Sequence, residues 1–249
     1  MSPDVVVDVG NSRIKWGRCA RGAVAEVVSL PPDAPDVWQR QLDSWGLSAA
    51  AVWAVAGVHP QRRDALVRWL EGRGRVWVAS DPRQLPLEVR LEHPERVGID
   101  RLLNAVAARL CWERRRLPAV VADAGSAVTV DWLDEDGAFR GGSIFPGLRL
   151  MVQALHDYTA LLPLVEVNEP CPYLPGLSTT QAMRAGVYYA TAGGINALIG
   201  LLCARSPRPT HIYLTGGDAW LLSHAVDPRA EVWPEMTLEG LRLSAEAQP

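Results

Sequence analysis

The chain starts twice, and nothing else in it constrains the fold as strongly. Val5-Val6-Val7-Asp8-Val9-Gly10-Asn11-Ser12 and Val120-Val121-Ala122-Asp123-Ala124-Gly125-Ser126 both run apolar residues into an Asp, a Gly and a hydroxyl. Asp8 and Asp123 are 115 positions apart (123 − 8). The same spacing relates Gly10 to Gly125, Gly22 to Gly137, Ala23 to Ala138 and Pro31 to Pro146. Any one match is cheap. Together they describe a strand–turn–strand–turn–strand unit written twice.

Helical signals follow each copy. Trp38, Leu42 and Trp45 share a helix face over residues 35–45, and Gly46 stops it. An apolar strand over 49–56 comes next, then a helix from Pro60 to Gly72 and a short strand at 76–78. Residues 80–97 read as irregular, and a helix over 101–116 turns Leu102, Leu103, Val106 and Leu110 inward. After the second copy, the pattern predicts a helix over 147–162, a proline loop at 170–175, and a helix from the N-cap Ser178 to about Arg205. A strand at 211–214, a short helix at 219–225, a last strand at Val232 and a C-terminal tail complete the reading. The chain is expected to be two similar α/β halves, 1–117 and 118–249, with a ligand cleft between them.

Several function classes fall away. A net charge of −3 gives no bulk attraction to nucleic acid or anionic lipid. Arg114-Arg115-Arg116 suits the end of a helix. The four cysteines form no Cys-x-x-Cys pair and the five histidines have no metal spacing. The N-terminus lacks a signal-peptide pattern, and no apolar stretch reads as long enough to span a bilayer. A cytoplasmic protein with reduced thiols is expected.

Lys15 is the single lysine in the chain. An ammonium is a compact point charge on phosphate, which a planar guanidinium does not replace cleanly. Gly10 permits close backbone approach and Ser12 offers a hydroxyl. Asp8 would repel a bare phosphate, so it faces Mg²⁺, directly or through water. An ordinary hairpin turn explains the same residues. Asp123, Gly125 and Ser126 carry the same two readings. Thr215-Gly216-Gly217-Asp218 suits a flat ring or a phosphate, or is a plain strand–helix connection. Asp100, in Gly98-Ile99-Asp100-Arg101, reads on physics alone as an N-cap; the alternative is a carboxylate base beside a guanidinium that holds a carboxylate. Asp131 reads as a solvent-facing strand residue rather than a metal ligand. No P-loop and no complete Gly-x-Gly-x-x-Gly is present.

Taken together, these segments resemble the type III pantothenate kinases of the actin/sugar-kinase/heat-shock-ATPase superfamily. The resemblance is carried by Asp8-Val9-Gly10-Asn11-Ser12-Arg13-Ile14-Lys15-Trp16, Val97-Gly98-Ile99-Asp100-Arg101 and Asp123-Ala124-Gly125-Ser126-Ala127. Gly141-Gly142-Ser143-Ile144-Phe145-Pro146-Gly147, Leu161-Leu162-Pro163, Gly176-Leu177-Ser178-Thr179 and Leu214-Thr215-Gly216-Gly217-Asp218 extend it over nearly the whole chain. It implies a duplicated actin-like (ribonuclease H-like) two-domain fold with an ATP cleft between the halves. The implied reaction is ATP-dependent phosphorylation of pantothenate to 4'-phosphopantothenate, the first step of coenzyme A synthesis.

By the family pattern, residues 8–15 with Ser126, Gly216 and Gly217 hold ATP and its Mg²⁺. Asp123 binds a monovalent cation, potassium or ammonium. Asp100 is the base, and Gly98, Ile99, Arg101 and Thr179 contact pantothenate, in a homodimer. Leu91, three residues before Pro94, stands where the family usually has a Tyr in the pantothenate pocket, and Ser12 and Ser126 stand where it has Thr. The alternatives are a transcriptional accessory protein on the same scaffold, or another small-molecule kinase of the superfamily.

Overall fold

The computed structural model describes residues 1–248, with the side chains of 110–115 outside that description. Two five-stranded sheets organise it. The first contains β1 (Val5–Val9), β2 (Ile14–Ala20), β3 (Ala23–Leu30), β4 (Val52–Gly57) and β5 (Arg75–Val78), in the order β3-β2-β1-β4-β5. The second contains β6 (Ala119–Ala124), β7 (Ala127–Leu133), β8 (Phe139–Pro146), β9 (His211–Thr215) and β10 (Glu231–Val232), in the order β8-β7-β6-β9-β10. Strand for strand, the orders coincide. In each, three antiparallel strands are followed by two parallel ones. Gly22 and Gly137 occupy the same turn with φ of 77° and 74°, a left-handed conformation open to glycine.

The copies differ at the turn after the Asp. Asp8 pairs with Lys15 across β1 and β2, whereas Asp123 pairs with Thr129 across β6 and β7, one residue sooner. The Gly10 N–H donates to Arg13 O at 3.0 Å, and the Gly125 N–H to Ala127 O at 3.1 Å.

Among the described residues, seven α-helices complete the fold: α1 (Pro35–Trp45), α2 (Pro60–Leu70), α3 (Ile99–Arg115), α4 (Leu148–Asp157), α5 (Thr179–Cys203), α6 (Ala219–Leu222) and α7 (Met236–Glu246). The chain divides into two compact units, residues 1–114 with 235–249, and residues 115–234. The second half was expected to run to residue 249. Instead the supposed tail is α7, which packs on β1, β2, β3 and β4 of the first sheet. A Cβ on Gly240 would lie 1.8 Å from Leu103 O, so α7 crosses α3 at backbone contact. Polar groups sew it in. Buried Arg242 pairs with Glu239 at 2.7 Å, the Val24 N–H donates to Glu239 at 2.6 Å, and Thr237 Oγ1 donates to Asn104 at 2.8 Å. The Met1 ammonium donates to Ala245 O and Gln248 O at 3.0 and 2.9 Å. These buried charges hid the helix from a reading by apolar pattern.

The other face of the first sheet buries Val5, Val7, Val9, Ile14 and Val55 with Trp16, Trp38, Trp45 and Trp53. Trp16 meets Trp53 edge-on at 5.1 Å, an arrangement aromatic quadrupoles favour. In the second unit, Val120, Ala122, Val128, Val130, Ile212 and Leu214 pack with α4, α5 and α6. Alternation along the strands sends Asp123, Thr129, Asp131, Tyr213 and Thr215 to the opposite face.

Three further expectations change. Asp131 is buried at 2% exposure, not solvent-facing. α4 ends at Asp157 rather than 162, leaving Leu161 at 91% exposure. α5 has 25 residues and is long and apolar enough to cross a membrane, although its inner face joins the second core. The helix end at Arg115 fits the arginine run, while the placement of Leu110, Cys111, Arg114 and Arg115 side chains lies outside the described residues.

Candidate active site

In the first unit, buried Val5, Val6 and Val7 bring Asp8, half-buried, to the end of β1. Asn11, Ser12 and Arg13 form an exposed turn, and Lys15 lies opposite Asp8 on β2. The turn is tethered from outside. Arg62 on α2 donates to Asn11 O at 2.5 Å and pairs with Asp33 at 3.5 Å. A Cβ on Gly10 would lie 3.1 Å from Arg13 O, so the turn closes tightly against itself. An ammonium, a hydroxyl and backbone amides on one short turn and the strand that leaves it are what a polyphosphate needs.

Asp100 lies in the first turn of α3 rather than at its cap, since the helix starts at Ile99 and the Leu102 N–H reaches Gly98 O at 3.4 Å. Its Oδ1 accepts from the Arg101 N–H at 2.8 Å. Burial pushes its carboxyl above the usual carboxylate range, against the pull of that hydrogen bond and of the Arg101 guanidinium. A Cβ on Gly98 would sit 2.6 Å from Oδ1, so the glycine leaves the carboxylate its place. A carboxylate made more basic and held in one orientation is equipped to accept a proton. Leu91 is half-buried on the segment leading to Gly98.

In the second unit the structure brings two of the motifs together. The Asp218 N–H donates to Ala124 O at 2.9 Å. A Cβ on Gly216, which has φ of 96°, would lie 2.4 Å from Ala124 O and 2.5 Å from Asp123 Oδ1. The Gly216-Gly217 loop therefore lies against Asp123 and Ala124, just before exposed Ser126 in the chain. Gly147, at the head of α4, donates to Ser126 O at 3.0 Å, and its Cβ would come within 2.1 Å of Gly125 O. Burial raises the Asp218 carboxyl, with Arg149 opposing. Among the described residues, no group of three or more His, Cys, Asp or Glu gathers as a metal cage. The Thr129 hydroxyl, across from Asp123, is buried with no hydrogen-bond partner.

Thr179 is elsewhere in this unit, exposed at the start of α5, where Ser178 Oγ accepts from the Gln181 N–H at 3.2 Å. Sequence reading missed Asn104 and Thr237, which join α3 behind Asp100 to α7. A polar Asn one turn after Asp100, on an otherwise apolar face, was the available signal.

A family model described as type III pantothenate kinase matches residues 5–200. The chain belongs to the type III pantothenate kinase family. A type III pantothenate kinase of Acidiphilium cryptum is 34% identical over 98% of this chain and 95% of its own. One of Rubrobacter xylanophilus is 35% identical over 82% and 84%. Among solved structures, the fold is similar to a conserved candidate Baf family transcriptional activator from Campylobacter jejuni, with a TM-score of 0.63, 19% identity and 97% coverage of both chains. It is also similar to a candidate 2-dehydro-3-deoxygalactonokinase from Sinorhizobium meliloti, with a TM-score of 0.56, 13% identity, and coverage of 98% of this chain and 96% of that one. MreB5 of Spiroplasma citri bound to AMPPNP follows at 0.53 and 11%, covering 97% and 95%. At these identities the structures bear on the fold, which is duplicated, α/β and actin-like. Membership of the kinase family makes the chain an enzyme that uses ATP with Mg²⁺.

Proposed function

We propose that Asp100 is the general base of this family's reaction, the ATP-dependent phosphorylation of pantothenate that opens coenzyme A synthesis. The observation that carries the reading is the Asp100 carboxylate itself. It is oriented by the Arg101 N–H, cleared by Gly98 and made more basic by burial. Asp100 takes the proton of the pantothenate primary hydroxyl as that oxygen bonds to the γ-phosphorus. The bond from the γ-phosphorus to its bridging oxygen breaks, and ADP leaves with the electron pair. The Arg101 guanidinium holds the pantothenate carboxylate. Gly98, Ile99, Thr179 and Leu91 border the acceptor, with an apolar side chain where the family's tyrosine contact stood.

Residues 8–15 bind the nucleotide phosphates, with Lys15 and the turn amides opposing the charge that builds on the transferred group. Ser126, Gly216 and Gly217 contact ATP. Asp8 suits the magnesium that accompanies it, through water. Asp123 binds a monovalent cation, which offsets phosphate charge when present. The buried, partnerless oxygen at Thr129 across from Asp123 fits such an ion. A homodimer forms through the outer face of α5, where Ala182, Gly186, Ala190, Gly193 and Ala197 are exposed at helical spacing. The protein works in the cytoplasm, consistent with free Cys19, Cys171 and Cys203.

A coupled assay of ADP release with a panel of acceptors tests the reading. Pantothenate is the preferred acceptor, and Asp100→Asn lowers kcat by about 10²–10⁴ while ATP binding persists. A kcat within tenfold of the original removes Asp100 from the base role. ADP release that ignores every acceptor would favour a non-kinase role on this scaffold.

A further inference from the structure

We infer that Thr129 is a second protein ligand, beside Asp123, for a monovalent cation bound at the end of the second sheet. The inference rests on the cation reading of Asp123 and adds a residue to it. Thr129 and Asp123 are register partners in the antiparallel pair β6–β7. Partners so placed project to one face, with Cβ atoms about 4.5–5.5 Å apart. The Thr129 Oγ1 atom is buried and has no hydrogen-bond partner. On this strand valine fills the neighbouring positions, Val128 and Val130, on the opposite face. A valine at 129 would have the same shape without the cost of an unsatisfied hydroxyl. The oxygen therefore waits for something that the protein itself does not supply.

The duplication says what that is. In the first copy the register partner of the equivalent carboxylate, Asp8, is Lys15. There a single positive charge stands opposite the Asp as a covalently tethered ammonium. In the second copy the tether is gone and a hydroxyl oxygen stands in its place. A carboxylate and a hydroxyl offer oxygens only, the donor set of a hard cation. The charge that matches the first copy is one, as in K⁺ or NH₄⁺. Space around Asp123 is kept by glycine. A Cβ at 216 would lie 2.5 Å from Asp123 Oδ1, and one at 125 would lie 3.6 Å from it.

Thermal unfolding of the full chain in KCl against choline chloride at equal ionic strength tests the assignment without measuring turnover. At K⁺ about ten times its Kd, the original protein should melt about 3–6 °C higher than in choline. Thr129→Val should melt no lower than the original in choline, because a partnerless hydroxyl has been replaced by a methyl. It should lose the K⁺-dependent rise, its titration midpoint moving at least tenfold, while Thr129→Ser keeps the rise. Asp123→Asn should abolish it. A rise lost in Asp123→Asn but intact in Thr129→Val overturns the role of Thr129 and leaves Asp123 standing. A rise that survives Asp123→Asn, or is absent from the original protein, overturns both.

Discussion

Gly98→Ala isolates the orientation of the proposed base, Asp100, from its chemistry. No positive φ is needed at Gly98, so the backbone accepts alanine, but the new Cβ would lie 2.6 Å from Asp100 Oδ1. Ordinary van der Waals contact begins at 3.4 Å, so the carboxylate must move by about 0.8 Å. In moving it gives up the 2.8 Å hydrogen bond from the Arg101 N–H. A displacement near 1 Å in a reacting group costs roughly 10²-fold in rate. The expected result is a kcat lowered by about 10²-fold, with the KM for ATP unchanged. ADP release in the presence of pantothenate measures it. The double variant with Asp100→Asn supplies the control, because once the base is gone the alanine has nothing left to displace. The two losses should therefore not multiply. A Gly98→Ala kcat within threefold of the original, or full multiplication in the double variant, refutes the reasoning.

Asp100→Asn should also stabilise the fold at neutral pH. The Asp100 carboxyl is raised in the folded state, so the unfolded chain releases that proton first as pH climbs. Wild-type stability is then lost as pH rises from the ordinary carboxylate pKa, about 3.9, through the folded value. Denaturation at pH 7 and pH 3 should show the asparagine variant ahead at pH 7 and level at pH 3; a difference independent of pH contradicts the buried charge. The Cys19 thiol is pushed up to about 12, chiefly by burial, with Arg242 opposing and Glu239 adding to the rise. At pH 8 its alkylation by iodoacetamide should run on the order of 10³-fold slower in the folded protein than in urea, by peptide mass mapping. Equal rates would place the thiol outside the α7 charge network.

The duplicated plan was legible because it rests on local signals. Apolar runs, the Asp-Gly turns and the left-handed glycines at 22 and 137 each declare themselves within a few residues. The α1 boundaries were legible for the same reason, Pro35 opening the helix and Gly46 closing it with φ of 62°. What escaped was tertiary. α7 is buried nearly all round, and Glu239 and Arg242 neutralise each other inside it, so no apolar stripe set it apart from a tail. Asp131 misled in the same way, since alternation marks a polar face without saying whether water reaches it. Asp8, Asp100 and Asp123 could be proposed from residue type and context alone. That Gly98 guards one carboxylate and Gly216 the other required coordinates, because a missing Cβ has no pattern of its own.

The return of α7 to the first sheet sets an order of events at the ribosome. The strands β1 to β5 are synthesised first, but the face holding Val6, Ala54 and Ala56 has no α7 to cover it until residue 236 has emerged. The whole second unit, residues 115–234, is made in between. At about 5–20 residues per second, that delay is roughly 6–24 s. The second unit is thus complete while the first still shows bare sheet, and only the last helix, met by the Met1 ammonium, closes it. The half that is born first is the half that finishes last.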